Sequence, residues 1–266
     1  MSADADSING TLVLALVRRV VAIGLAGSAA GLLVGGLGGR LVMRLSALAG
    51  GSEVVGVLTE NGNRVGDITV AGTIGLLIFG GLLSGTFGAI LAVISDPWLR
   101  TLGRWKGLGT GLFLLFGFGF LVLDSASPDF LILKPALLNV VMFAALFVGF
   151  GLAMWAMFEW LDHRLPRQGP AAVTFYVVAL SLGLIPLLLL LLTFISADFG
   201  GREPARYMAV LLGALGMATA VEWWTMSGGG LSPRLRRLVR FVGFATFASI
   251  ILVGGISTIS NVMRIL

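Results

Sequence analysis

Residues 20–39 read VVAIGLAGSAAGLLVGGLGG, twenty positions without a charge and with glycine at 24, 27, 31, 35, 36, 38 and 39. A hydrocarbon core of about 30 Å needs about 20 helical residues at a rise of about 1.5 Å each. This run therefore spans a bilayer unaided. Gly27, Gly31, Gly35 and Gly39 recur every four residues, the spacing of a glycine zipper, which aligns them on one slowly drifting helix face where no side chain keeps a neighbouring backbone away.

Six more charge-free runs follow: Ile68–Ser95, Gly107–Leu123, Pro135–Phe158, Ala171–Ala197, Tyr207–Val221 and Phe241–Met263. Membrane β-strands would be about 10 residues long and alternate in polarity, and the run IPLLLLLL at 185–192 does not alternate. A composition of 57% hydrophobic against 12% charged residues leaves too little charge to cover a water-facing surface. The expected fold is all-α: one integral membrane domain over residues 1–266, a polytopic transmembrane helical bundle with seven spans near 20–44, 69–95, 107–125, 135–159, 171–197, 205–226 and 238–261. The run at 207–221 is short, so its span must take in Glu222, with Trp223 and Trp224 at headgroup level.

Between the first two runs, 54–60 and 64–70 are β-prone and flank Asn61-Gly62-Asn63, a turn signal. A short extracytoplasmic β-hairpin is expected there, as a compact cap or as a lid over a cavity mouth. Asp96-Pro97-Trp98 is expected to end the second helix and Pro166 the fourth, and Ser227 to Gly230 to form a flexible joint before the last.

The polar segments sort by alternate side. One side carries Arg18, Arg19, Arg100, Arg104, Lys106, Arg164, Arg167, Arg234, Arg236, Arg237 and Arg240; the other carries seven basic residues matched by as many acidic ones. The positive-inside rule then puts the N-terminus in the cytoplasm and the C-terminus outside, in a multi-pass plasma (inner) membrane protein. The opening MSADADSING has no basic residue, so no signal cleavage is expected. The net charge of +5 points to anionic headgroups on the cytoplasmic face of the lipid bilayer as partner, with no nucleic acid. A second copy of the chain or a membrane partner subunit fits the glycine-rich faces.

Gly81 and Gly85 in the second run repeat the four-residue spacing and suit close helix packing with the first. Arg40 and Arg44 follow the first glycine face, four apart and so on one side of the helix. They either snorkel at the outer interface or enter the bundle as a solute or anion contact, with Glu53, Asp124 or Asp129 as partners. Glu222 is a candidate proton-linked carboxylate; its structural reading is a pair with Arg104 or Arg236. Pro186, lacking an N–H, is a candidate hinge that kinks the fifth helix. Glu159, Asp162 and His163 read as a solvated helix end, with no metal. Zero cysteines exclude disulfides and thiolate chemistry.

No His-Glu-x-x-His, Gly-x-Ser-x-Gly or Walker lysine occurs, and the last run holds no lysine for a retinal Schiff base. No cofactor is expected, and an enzyme is the least favoured class. Two classes remain: a permeation or transport-type bundle for a small solute or ion, and a noncatalytic membrane scaffold, accessory subunit or sensor.

Overall fold

The computed structural model describes residues 2–51, 56–57, 64–65, 67, 69–132, 134–167, 169–196, 203–226 and 230–266. Helix α1 runs Ser2–Ala30 as α-helix, Gly31–Gly38 as wider π-helix and Gly39–Gly50 as α-helix again, and ends at Gly51 with φ 71°. Helix α2 repeats this plan, with Val70–Leu76, a π stretch Leu77–Leu83, and Ser84–Leu99. Then come α3 (Lys106–Phe118), a one-turn helix Pro128–Ile132, α4 (Ala136–Asp162), α5 (Pro170–Ser196), α6 (Glu203–Met226) and α7 (Pro233–Ile265).

The helix starts carry local sequence logic. Thr69 accepts the Gly72 N–H at 3.1 Å through its side chain, and Ser232 accepts that of Leu235 at 3.4 Å with Pro233 in the first turn. Each cap satisfies a backbone donor that the helix itself cannot. Pro97 does not stop α2, which continues to Leu99, because a proline in the final turn forfeits only one backbone bond. Pro186 likewise lies inside an uninterrupted α5, with its ring buried against the bundle.

Six helical segments are long and apolar enough to cross a membrane: Leu14–Gly50, Val70–Leu121, Ala136–Asp162, Pro170–Leu192, Tyr207–Thr225 and Pro233–Ile265. Seven apolar runs yield six segments because α2 and α3 are joined by the 3-10 turn Arg100–Trp105, broken only at Gly103. Its φ of 53° and ψ of −122° suit glycine, and α3 folds back along α2. Lys106 then meets Asp96, and Phe118 meets Phe87 with ring centroids 5.5 Å apart.

No strand forms among the described residues of the connection between α1 and α2. Two backbone bonds, Gly56 N–H to Val65 C=O at 2.9 Å and Val65 N–H to Val57 C=O at 2.8 Å, draw the loop back on itself. The Asn61-Gly62-Asn63 turn lies outside the described residues, as do Ser227 to Gly229.

The bundle closes by backbone-to-backbone contact. A methyl group on Gly27 would stand 2.5 Å from Ala89 Cβ and 2.9 Å from the Gly85 carbonyl oxygen. One on Gly31 would overlap the Gly81 carbonyl, and one on Gly35 the Gly80 carbonyl. The π stretches of the two helices face each other at this crossing. Gly39 is different: its nearest neighbours are ordinary contacts with Leu76 near 3.8 Å. Similar crossings join α3 to α4 at Gly111 and Gly151, and α3 to α7 at Gly117 and Gly254. Ile23, Ala26, Phe113, Met154, Leu215 and Ile250 fill the shared centre. Because lipid tails are as apolar as these side chains, close approach and dispersion contacts rather than water exclusion hold such helices together.

Helix α5 is the exception. Only 6% of its most apolar window is buried, against 44% for α1. Ala172, Tyr176, Ala179 and Pro186 form its inward seam, the first three packing on Leu14, Val17 and Val21 of α1.

Candidate functional site

Four ion pairs among the described residues gather at one end of the bundle. Arg18 and Arg19 lie in the early part of α1; Asp96 closes α2; Lys106 opens α3; Asp162 ends α4; Glu222 sits one turn from the end of α6; Arg240 lies in the first turns of α7. Successive helices run in opposite directions, so these sequence-distant positions share one level.

Asp96 is the centre, only 1% exposed. Arg19 Nη2 donates to both its carboxylate oxygens, at 2.9 and 3.0 Å, and Lys106 Nζ donates to Oδ1 at 2.7 Å. The Lys106 ammonium also lies 3.6 Å from the Trp155 ring centroid, an attraction to the negative face of the indole that strengthens where water is excluded. Trp155 is fixed in turn by its N–H bond to Thr110 Oγ1 at 2.7 Å, and Thr110 donates to the Lys106 carbonyl at 2.9 Å. Arg19 lies 5.6 Å from the Phe158 ring centroid. Three helices, α1, α2 and α3, are thereby tied through one carboxylate, with α4 supplying the aromatic walls.

Two further pairs lie at the same end. Arg18 binds Asp162 at 2.9 Å and also its backbone carbonyl, joining α1 to α4. Arg240 turns both Nε and Nη2 onto Glu222 Oε1, at 2.7 and 2.5 Å, joining α6 to α7. The expected partners of Glu222 are corrected here: Arg236 instead donates to the Thr225 carbonyl at 3.0 Å, because Arg240, one turn further along α7, stands level with the carboxylate. Glu222 Oε2 is buried with no hydrogen-bond partner among the described residues.

Arg40 and Arg44 lie at the opposite end. Arg40 Nη2 donates to Thr73 Oγ1 at 3.1 Å and to the Thr69 carbonyl at 3.4 Å, tying α1 to the start of α2, while its buried Nε has no partner among the described residues. Arg44, exposed one turn on, has an interaction of its own. The two arginines and Glu222 therefore belong to different ends of the molecule and form no common site.

Sequence reasoning missed the Asp96 cluster. The signal available was Asp96 and Lys106 ten positions apart on either side of a turn, read as a helix end and an interface belt because neither position announces that Arg19, 77 residues before Asp96, meets them. No protein-family model, curated protein or solved structure matches the chain.

Proposed function

We propose that the chain crosses the plasma (inner) membrane seven times, with the Asp96 end in the cytoplasm and the C-terminus outside, and serves as a noncatalytic scaffold or accessory subunit. The length of the Val70–Leu121 segment supports the seventh crossing: 52 residues would extend about 78 Å if straight, against about 30 Å of hydrocarbon. The return of Phe118 to Phe87 supports reading it as two arms. Orientation follows the basic excess at the end that holds Arg19, Lys106 and Arg240.

The observation that carries the scaffold reading is the filled glycine face. A path bordered by Gly27, Gly31 and Gly35 needs that face open, and it is occupied by the backbone of Gly80, Gly81, Gly85 and Ala89. The ion pairs then act as ties between helices. The outward face of α5 suits a partner subunit or a second copy of the chain.

Single-cysteine scanning tests this directly on a chain that has no cysteine of its own. Midspan positions on α1, α2 and α4 should resist membrane-impermeant thiol reagents. A reactive stripe running through all depths would replace the scaffold with a pathway.

The second reading, permeation of a small solute or ion, rests on Glu222. A buried anionic oxygen without a donor is costly to leave so, and a transported proton or cation would complete it. Proteoliposome flux abolished by Glu222→Gln in a folded protein would favour this reading.

A further inference from the structure

The Asp96 cluster is overcharged. Arg19 and Lys106 bring two positive charges to one carboxylate, and both carboxylate oxygens are already engaged. The neighbouring Arg18–Asp162 pair is balanced, so it does not neutralise the surplus. Arg19 spends only Nη2 on Asp96. Among the described residues its Nε and Nη1 make no hydrogen bond, and its side chain is 36% exposed, so an edge of the guanidinium fork faces out of the bundle. Lys106 is held beside it, 15% exposed, by Asp96 and the Trp155 face.

We infer that the outward edge of Arg19, together with Lys106, binds the phosphate of an anionic phospholipid. The chemistry is that of a guanidinium fork and an ammonium converging on phosphate oxygens, with Asp96 holding the two cations at fixed spacing. The choice of a lipid over a free phosphate follows from the surroundings. The half-buried Phe158 lines the same place with apolar ring surface, and Arg164 stacked 4.0 Å from Trp160 and Arg104 stacked 5.2 Å from Trp105 mark this level as the headgroup zone. A phosphate docked there extends its acyl chains along the helices into hydrocarbon, which a free phosphate cannot do. The inference holds whether the bundle is a scaffold or a conduit.

The test titrates purified protein in neutral detergent with short-chain phosphatidylglycerol, phosphatidylcholine of equal chain length, or inorganic phosphate, following bound lipid by native mass spectrometry and the unfolding temperature in parallel. Phosphatidylglycerol should bind at defined stoichiometry and raise the unfolding temperature, and the other two should not. Arg19→Gln and Lys106→Gln should each weaken phosphatidylglycerol about fivefold or more, the factor expected for one cation near an anionic surface. The double variant Arg234→Gln/Arg237→Gln, at exposed positions of α7 at the same end, should bind as the parent does. Arg19→Gln leaves Asp96 paired with Lys106, so it keeps the test open if Lys106→Gln fails to fold. Equal weakening in the α7 variant would reduce the effect to diffuse attraction and overturn the site. Stabilisation by inorganic phosphate to the same degree would overturn the lipid assignment, and unchanged lipid binding in Arg19→Gln would overturn both.

Discussion

Lys106 and Trp155 meet with the ammonium 3.6 Å from the indole ring centroid, and Thr110 accepts the indole N–H from the side. The aromatic ring is thus fixed at its edge and used on its face. Trp155→Phe should lose the hydrogen bond and weaken the cation contact, lowering stability by about 1–2 kcal/mol. Trp155→Ala also opens a cavity and should cost about 3–5 kcal/mol. Reversible unfolding in mixed micelles would measure both, and equal losses would show that the hydrogen bond and ring face contribute more than the ring's volume.

Asp96→Asn should be more damaging than its size suggests. It leaves Arg19 and Lys106 facing each other with no anion between them, and breaking a buried charged pair costs about 3–5 kcal/mol. Lys106→Met in the same background removes part of the repulsion and should restore some of the loss. A double-mutant cycle on unfolding temperature reads that coupling, and strict additivity would argue that the three groups act independently.

The Glu222–Arg240 pair should respond unequally to losing either member. Glu222 is 5% exposed, whereas the Arg240 side chain is 61% exposed and returns to water when its partner is removed. Arg240→Gln strands a buried carboxylate and should destabilise by about 3 kcal/mol or more. Glu222→Gln should cost clearly less. The reverse order would mean that the Glu222 carboxylate does not depend on Arg240 in the folded protein.

Glycine substitutions should split by sign. Gly31→Ala and Gly85→Ala force methyl groups into facing backbone that has no rotamer to yield, at a cost of about 1–3 kcal/mol or more. Gly24→Ala and Gly183→Ala meet nothing within 4 Å and should gain up to about 1 kcal/mol from helix propensity. Uniform effects across the four would remove the close α1–α2 crossing from the account of stability.

Topology is tested at the two ends of α3. Thr101→Cys should react with an impermeant maleimide from the cytoplasmic face and Val122→Cys from the opposite face. Labelling of both from one side would leave the Val70–Leu121 segment as a single crossing or a re-entrant loop.

What the sequence made legible was local. Charge-free length marks the apolar helices, because the bilayer sets a minimum run that any reader can count. Four-residue glycine spacing marks a helix face, and the structure puts Gly27, Gly31 and Gly35 against α2, where Gly81 and Gly85 lie. Pairing across helices is another matter. Whether Glu222 meets Arg236 or Arg240 depends on the axial offset of α6 and α7, a shift of about 6 Å at 1.5 Å per residue, and no residue type encodes that offset by itself. Gly39 shares the period of its predecessors yet meets α2 only through the Leu76 side chain at ordinary contact distance, since a four-residue repeat drifts round the helix. The π stretches at Gly31–Gly38 and Leu77–Leu83 left no periodic trace, and the turn at Gly103 is a single residue whose sign of φ is not written in its neighbours.

The ties at the Asp96 end also impose an order on biosynthesis. Arg19 is made 77 residues before Asp96, and Arg18 is made 144 residues before Asp162. During synthesis α1 is made with both arginines lacking their carboxylates, and Arg18 gains its partner only when α4 has been translated. The nascent chain up to residue 162 is thus the shortest that contains the carboxylate partners of both Arg18 and Arg19. A ribosome stalled before that point holds a first helix whose Arg18 still lacks the carboxylate that neutralises it in the finished fold.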